Sequence, residues 1–311
     1  MQYYPLTSEA KSAQAVELTP GNEKSGIDFI MAPTAITQVH GVFAPGGADW
    51  QGGQLQVMLT SLAQHAGGMG AMVQKGTFQF RQVFPGSYIL TAFSQGGEEN
   101  RMGAFQRIDV SDKPVELALE LKHAIDLNGK IEIEPSGNSN NNNKVTPSQI
   151  NIALVPQYQV GIPGSQTQVS EDGTFTMKGV LPAPWRLQLN APMGYVKAAW
   201  LGNQDVTNAP IDLLSGALGG LRILIGTNMG TIRGSAPAGT VILAERIDEN
   251  TPFRRNFGIT VDQNGQYNFS GLAPGKYRLV VMDSGGPMPD EGGQEITVRE
   301  GETVMADLKA P

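Results

Sequence analysis

The chain has 311 residues, of which only 16 % are charged, and its formal net charge is −7. An acidic chain without a basic cluster is unsuited to binding nucleic acid, and the absence of any apolar run of about 18 residues excludes insertion into a membrane. Because cysteine is absent from the sequence, disulfides and thiolate metal sites are excluded as well.

Glycine and proline are abundant, with 39 and 20 residues, and long helical patterns are missing. Short runs in which apolar and polar residues alternate are separated by frequent turn signals, which is typical of β-sandwiches. The composition therefore predicts an all-β fold, and the length allows two or three domains.

Residues 1–33 predict an N-terminal arm. Two short apolar runs flank Gly21 in the same way that the last strands of the chain flank Gly301, so this segment resembles the terminal hairpin of a repeat whose body is absent. A linker, or an arm that belongs to the first domain, is the alternative. An isolated hairpin would leave apolar side chains in water and strand edges unpaired, so we expect it to pack on something. The expected subunit contacts are Val16, Leu18, Ile27, Phe29 and Met31.

The first domain is predicted over 34–123. Its opening strand lies at 39–43 and its second strand at 54–62, while the glycine-rich stretch 66–71 is expected to be a flexible loop. Trp50 lies among glycines in another predicted loop. An exposed indole ring is a suitable platform for stacking a sugar, so Trp50 is the candidate ligand contact.

The second domain is predicted over 124–227 and the third over 228–311. The second contains a run of four asparagines at 140–143, which predicts a surface loop. Each closing strand leads almost directly into the next opening strand, so linkers are nearly absent. We therefore expect the three domains to form a stiff rod.

A repeated stretch lies at the centre of each domain. It consists of an alternating strand, a proline corner and a second strand, and its three copies align without gaps at offsets of 97 and 92 residues. An interval of this length corresponds to one small domain, whereas solenoid units are shorter. The predicted structural core of the repeat is Phe78, Phe80, Pro85 and Tyr88 in the first copy, Phe175, Met177, Pro182 and Trp185 in the second, and Tyr267, Phe269, Pro274 and Tyr277 in the third.

This pattern, Gly-x-Phe-x-apolar-x-Gly-apolar-x-Pro-Gly-x-Tyr-x-Leu, resembles the carboxypeptidase regulatory-like domain. Those domains are transthyretin-like (prealbumin-like), seven-stranded sandwiches close to the B-type repeats of collagen adhesins. The third copy matches best, whereas the second has Ala183 and the first has Gln82 where a glycine is expected. The resemblance implies a tandem array of three Ig-like or transthyretin-like antiparallel β-sandwiches behind an N-terminal hairpin or strand arm. It implies a bacterial exported protein, but no peptidase activity, because the zinc-binding catalytic domain of such enzymes is not in this chain.

No constellation of residues predicts an enzyme. The three histidines, His40, His65 and His123, are not at metal-ligand spacing, and a G-x-S-x-G nucleophile elbow is missing. No metal or other cofactor is therefore expected.

Two classes of function remain. The first is a non-enzymatic structural or interaction protein, outside the cell or on the bacterial surface, whose arm completes a neighbouring subunit and builds a head-to-tail filament. Its partners would be other protein subunits, including copies of itself. The second is a carbohydrate-binding accessory module of a larger exported enzyme or transporter, with glycans as the partner. The periplasm is the alternative location.

Overall fold

The computed structural model describes most residues of the chain, and the fold is given for those residues alone. They are 3–5, 7, 12–29, 35–44, 54–63, 67–94, 97, 100–135, 145–190, 194–216, 219–247, 256–282 and 293–309. These residues form 24 β-strands in six sheets, which confirms the predicted all-β fold.

The first sandwich consists of a three-stranded sheet, in the order β4-β1-β7, and a five-stranded sheet, in the order β3-β2-β5-β6-β8. Strand β1 pairs antiparallel with β4 and parallel with β7. The strands are β1 (Thr37–Phe43), β2 (Leu55–Ser61), β3 (Gly68–Ala71), β4 (Thr77–Val83), β5 (Gly86–Ser94), β6 (Met102–Val110), β7 (Val115–Leu119) and β8 (Lys122–His123).

The second sandwich repeats this plan and extends it. Its sheets have the orders β12-β9-β17-β14-β15 and β11-β10-β13-β16, so the hairpin β14–β15 widens the sheet that contains the opening strand. The strands are β9 (Ile125–Ile133), β10 (Asn151–Pro156), β11 (Ser165–Gln168), β12 (Thr174–Val180), β13 (Pro184–Asn190), β14 (Tyr195–Leu201), β15 (Gln204–Asp205), β16 (Ile211–Asp212) and β17 (Leu221–Gly226). A single 3-10 turn, Pro147–Gln149, precedes β10.

The third sandwich has seven strands within the described residues. Its sheets have the orders β21-β18-β24 and β20-β19-β22-β23, and its opening strand again pairs antiparallel on one side and parallel on the other. The strands are β18 (Gly230–Ser235), β19 (Val241–Arg246), β20 (Asn256–Thr260), β21 (Gln266–Leu272), β22 (Gly275–Met282), β23 (Gln294–Val298) and β24 (Thr303–Met305). Each pair of sheets encloses its own cluster of buried apolar side chains.

The last aromatic residue of each repeat ties the proline corner together. The Tyr88 hydroxyl donates a hydrogen bond to the carbonyl of Phe84 at 2.8 Å, and the Tyr277 hydroxyl donates to the carbonyl of Ala273 at 2.7 Å. In the second copy the indole Nε1 of Trp185 donates to the carbonyl of Leu181 at 2.9 Å. Each acceptor directly precedes the corner proline. Tyrosine and tryptophan are interchangeable here because both join a large apolar ring to one donor.

The first aromatic residue of each repeat lies over a glycine on the opening strand. Gly41 pairs with Phe78, and Gly129 pairs with Phe175. A Cβ atom on Gly41 would lie 2.1 Å from Cζ of Phe78, and one on Gly129 would lie 2.2 Å from Cζ of Phe175. In the third sandwich Gly234 pairs with Tyr267, but there a Cβ atom would first meet the backbone of Ala306. In the first two sandwiches the missing side chain therefore makes room for the ring that fills the core.

A bulge follows the second repeat position in the strand that precedes the corner. The pairing with the opening strand shifts register at this point in the first and second sandwiches, and it shifts next to the equivalent point in the third. Gly179 and Gly271 take positive φ angles of 60° and 74° at this point, and Gln82 takes 60°. The first copy therefore holds a side chain in the left-handed region, where a Cβ atom is strained.

One local prediction is wrong. The stretch 66–71, predicted to be a flexible loop, contains edge strand β3, whose residues pair with β2 from Val57 to Thr60. An edge strand needs main-chain hydrogen bonds on one side only, and its small side chains do not prevent them.

Candidate interaction site

The N-terminal arm is the candidate interaction site. Residues 12–29 contain no strand, so the two halves of the predicted hairpin are not paired with each other in this part of the chain. The turn between them does form, because the amide of Asn22 donates to the carbonyl of Thr19 at 3.0 Å and Gly21 has a φ angle of 82°. The ladder between the two halves is missing because a lone two-stranded hairpin is only marginally stable in water.

Most apolar side chains in the described part of the arm face solvent. Leu18 is 64 % exposed and Phe29 is 51 % exposed, while Val16 is less exposed and Ile27 is half-buried. Every other residue from 12 to 29 is exposed. Residues 12–29 thus pair with no strand and present apolar side chains to solvent, which is the combination that strand addition uses.

A few contacts connect the arm with the beginning of the chain. The amide of Gln14 donates to the carbonyl of Tyr4 at 2.8 Å, and the rings of Tyr4 and Phe29 meet edge to face at 6.4 Å. Met31, the last predicted contact residue, lies outside the described residues. Trp50 lies outside them too. Glycan binding through Trp50 therefore stays a prediction, and a glycan array with Trp50→Ala as the control checks it.

The junction between the first and second sandwiches is apolar. Phe93 of β5 belongs to the hydrophobic cluster of the second sandwich, and the rings of Phe105 and Tyr158 stack at 6.0 Å. Two cations add polar contacts: Arg101 donates to the carbonyl of Gly179 at 3.2 Å, and Lys122 donates to that of Leu214 at 2.8 Å. Cores that are shared in this way restrict relative motion of the two sandwiches.

An ion-pair network connects the second sandwich to the third. The Lys197 ammonium lies 2.8 Å from Glu134 of its own sandwich and 2.9 Å from Glu300 of the next. The hydrogen bonds that Lys197 donates to both carboxylates raise its pKa, and the bond that Glu300 accepts lowers the pKa of Glu300. All three side chains are about one-third exposed, so salt will weaken this contact.

The described residues also bear on other functional classes. Among them, no three histidine, aspartate or glutamate side chains lie close enough together to hold a metal ion. None of the described segments forms a helix with the length and hydropathy needed to span a bilayer. Trp200 has Arg222 over its ring at 5.4 Å, so the face of that indole already has a cation as its partner.

No family model matches the chain, and the curated proteins contain no match. Similar solved structures include the Streptococcal ancillary pilin, at 10 % identity over 88 % of this chain and 99 % of that chain with a TM-score of 0.28. Another is GBS52, the minor pilin of Streptococcus agalactiae, at 12 % identity over 59 % of this chain and 94 % of that chain with a TM-score of 0.30.

A third is a DUF3823 family protein from Parabacteroides merdae, at 12 % identity over 86 % of this chain and 98 % of that chain with a TM-score of 0.24. At these identities and TM-scores the similarity carries no argument about function or assembly. The membership in the carboxypeptidase regulatory-like family that the repeat suggests therefore stays a prediction.

Proposed function

We propose that this is a non-enzymatic structural protein of the bacterial surface or extracellular space. Its three sandwiches serve as the body of a subunit, and its N-terminal arm joins that subunit to a neighbour. The observation that carries the proposal is the arm itself, in which residues 12–29 pair with no strand and present Leu18 and Phe29 to solvent.

The energetics favour this role for the arm. Burying one exposed side chain of the size of valine, leucine or phenylalanine contributes about 1.5–3 kcal/mol, and main-chain hydrogen bonds to a sheet edge add to it. The arm precedes the first sandwich, so a contact between the arm of one copy and a sandwich of the next is head-to-tail. A contact of that kind builds a filament whenever the rotation between copies does not close a ring.

The test is the concentration dependence of assembly, followed by sedimentation velocity and negative-stain microscopy. Deleting residues 1–33 should abolish assembly, and Leu18→Asp should weaken it by adding a charge where an apolar contact is expected. Ser25→Asp is the matched control, since it adds the same charge at an exposed polar position of the arm. Assembly that is unchanged by the deletion would show that the arm is not the contact.

A further inference from the structure

A cavity opens along one side of the first sandwich, between edge strands β3 and β4. Its volume is about 670 Å³. Phe78 and Phe80 of β4 and Met69 of β3 contribute to its walls, and Met72 stands at its rim with 82 % of its surface exposed. Phe78 and Phe80 are themselves only 2 % exposed, so the cavity lies against the edge of the apolar layer of the sandwich.

The backbone beside this cavity belongs to an unpaired strand edge. Strand β4 is the outer strand of its sheet within the described part of the chain. The amide of Phe43 donates to the carbonyl of Gly76. In an antiparallel ladder, residues whose main-chain groups point toward the partner strand alternate with residues whose groups point away from it. The main-chain groups of Phe78 and Phe80 therefore point toward β1. Those of Gln79 and Arg81 consequently point away from the sheet, where an added strand would meet them.

The charges around the cavity favour an acidic strand. Arg81 and His40 contribute to its lining, and the described lining residues include no carboxylate. In the arm, Glu17 lies between the exposed Val16 and Leu18. If the arm forms a strand, Val16 and Leu18 lie on one face and Glu17 on the other. Phe78 and Phe80 share one face of β4 with the same two-residue spacing.

We propose that this groove accepts the arm of a second copy of the chain, an inference that rests on the proposed function. The incoming arm adds a strand to the free edge of β4. Val16 and Leu18 extend the apolar layer beside Phe78 and Phe80, and Glu17 lies on the outer face with Arg81. Residues 12–29 of the chain's own arm do not occupy the groove, because they are exposed apart from Ile27.

The first experiment blocks the edge without breaking the sheet. Gln79→Pro in the full-length chain removes an outward amide, a substitution that edge strands tolerate. Asn268→Pro is the matched control, since Asn268 holds the equivalent position in edge strand β21 of the third sandwich. We expect Gln79→Pro to weaken assembly by about tenfold or more, the effect of losing one or two main-chain hydrogen bonds, and Asn268→Pro to leave it unchanged.

The second experiment reverses charges and remains informative if the proline variant fails to fold. Arg81→Glu and Glu17→Lys should each weaken assembly, and the double variant should recover it, because every arm then meets a groove of opposite charge. Calorimetry of each variant shows whether the sandwich is intact.

The outcomes separate the two proposals. If Leu18→Asp prevents assembly while Gln79→Pro and Arg81→Glu assemble like the parent chain, the arm docks elsewhere, and only the groove assignment is overturned. A chain that stays monomeric at every concentration, or that assembles without residues 1–33, overturns both.

Discussion

Gly41 lies beneath the ring of Phe78, so the substitution Gly41→Ala is expected to create a steric clash. The new Cβ atom would lie 2.1, 2.5 and 2.7 Å from three ring carbons of Phe78. That ring is 2 % exposed and is held between Phe43 and Phe80, at centroid distances of 5.4 and 6.1 Å. Moving it aside would break both of these ring contacts. Overpacking costs about 1–3 kcal/mol in a dense core, and three simultaneous overlaps place this substitution near about 3 kcal/mol.

The measurement is differential scanning calorimetry of the full chain. A domain of this size loses about 4–8 °C in transition midpoint for each kcal/mol, so the transition of the first sandwich should fall by about 12–24 °C. Gly67→Ala is the control in the same sandwich, because its Cβ would meet nothing within 4 Å. That variant should stay within about 0.5 kcal/mol of the parent chain.

A double-mutant comparison tests the stated cause. Replacing Phe78 by leucine should relieve much of the Gly41→Ala penalty, because the three atoms nearest to the new Cβ all belong to that ring. In the second sandwich, Phe175→Leu should fail to rescue Gly129→Ala, because the backbone carbonyl oxygen of Leu221 would still lie 2.4 Å from the new Cβ atom. A small effect of Gly41→Ala, or equal rescue in both sandwiches, would refute the reasoning.

Three further predictions concern the bulge, the corner and the second junction. Gln82→Gly should stabilise the first sandwich by about 1 kcal/mol, because it relieves the strained positive φ angle. Gly271→Ala should destabilise the third sandwich for the opposite reason. Chemical denaturation of both variants checks the direction of each change in stability. Tyr277→Phe should cost about 1 kcal/mol by removing the hydroxyl that donates to Ala273, and an unchanged unfolding midpoint would contradict that role. The lowered pKa of Glu300 means that its contact with Lys197 contributes fully above its ordinary value of 4.5 and is lost as pH falls through the lowered value. The raised pKa of Lys197 likewise means that the contribution is complete below its ordinary value of 10.5 and is lost only as pH rises through the raised value. Energy transfer between dyes on the second and third sandwiches should therefore change in acid or high salt, and Lys197→Gln should remove that dependence.

The sequence by itself determined the fold class and the number of sandwiches. Alternation with a period of two is a local property of strands, and a proline corner repeated at constant offsets marks equivalent places in successive units. Buried ring positions such as Phe78, Phe175 and Tyr277 could be found in this way because the repeat compares the chain with itself.

Only the tertiary structure decided which residues meet across strands. Gly41 and Phe78 are far apart in the chain, and their pairing depends on the register of β1 against β4, which a single sequence does not state. The same holds for the ion pair from Lys197 to Glu300 and for the apolar junction of Phe93 with the second sandwich.

The arm is a case in which the sequence pattern did not determine the local structure. Its apolar pattern predicts a hairpin, yet a ladder forms only where another surface covers its apolar face, and residues 12–29 have no such cover in a single chain. The alternation of Val16 and Leu18 is a property of the sequence. Whether those side chains are buried depends on the tertiary and quaternary contacts that the chain makes, because burial of an apolar surface requires a second surface.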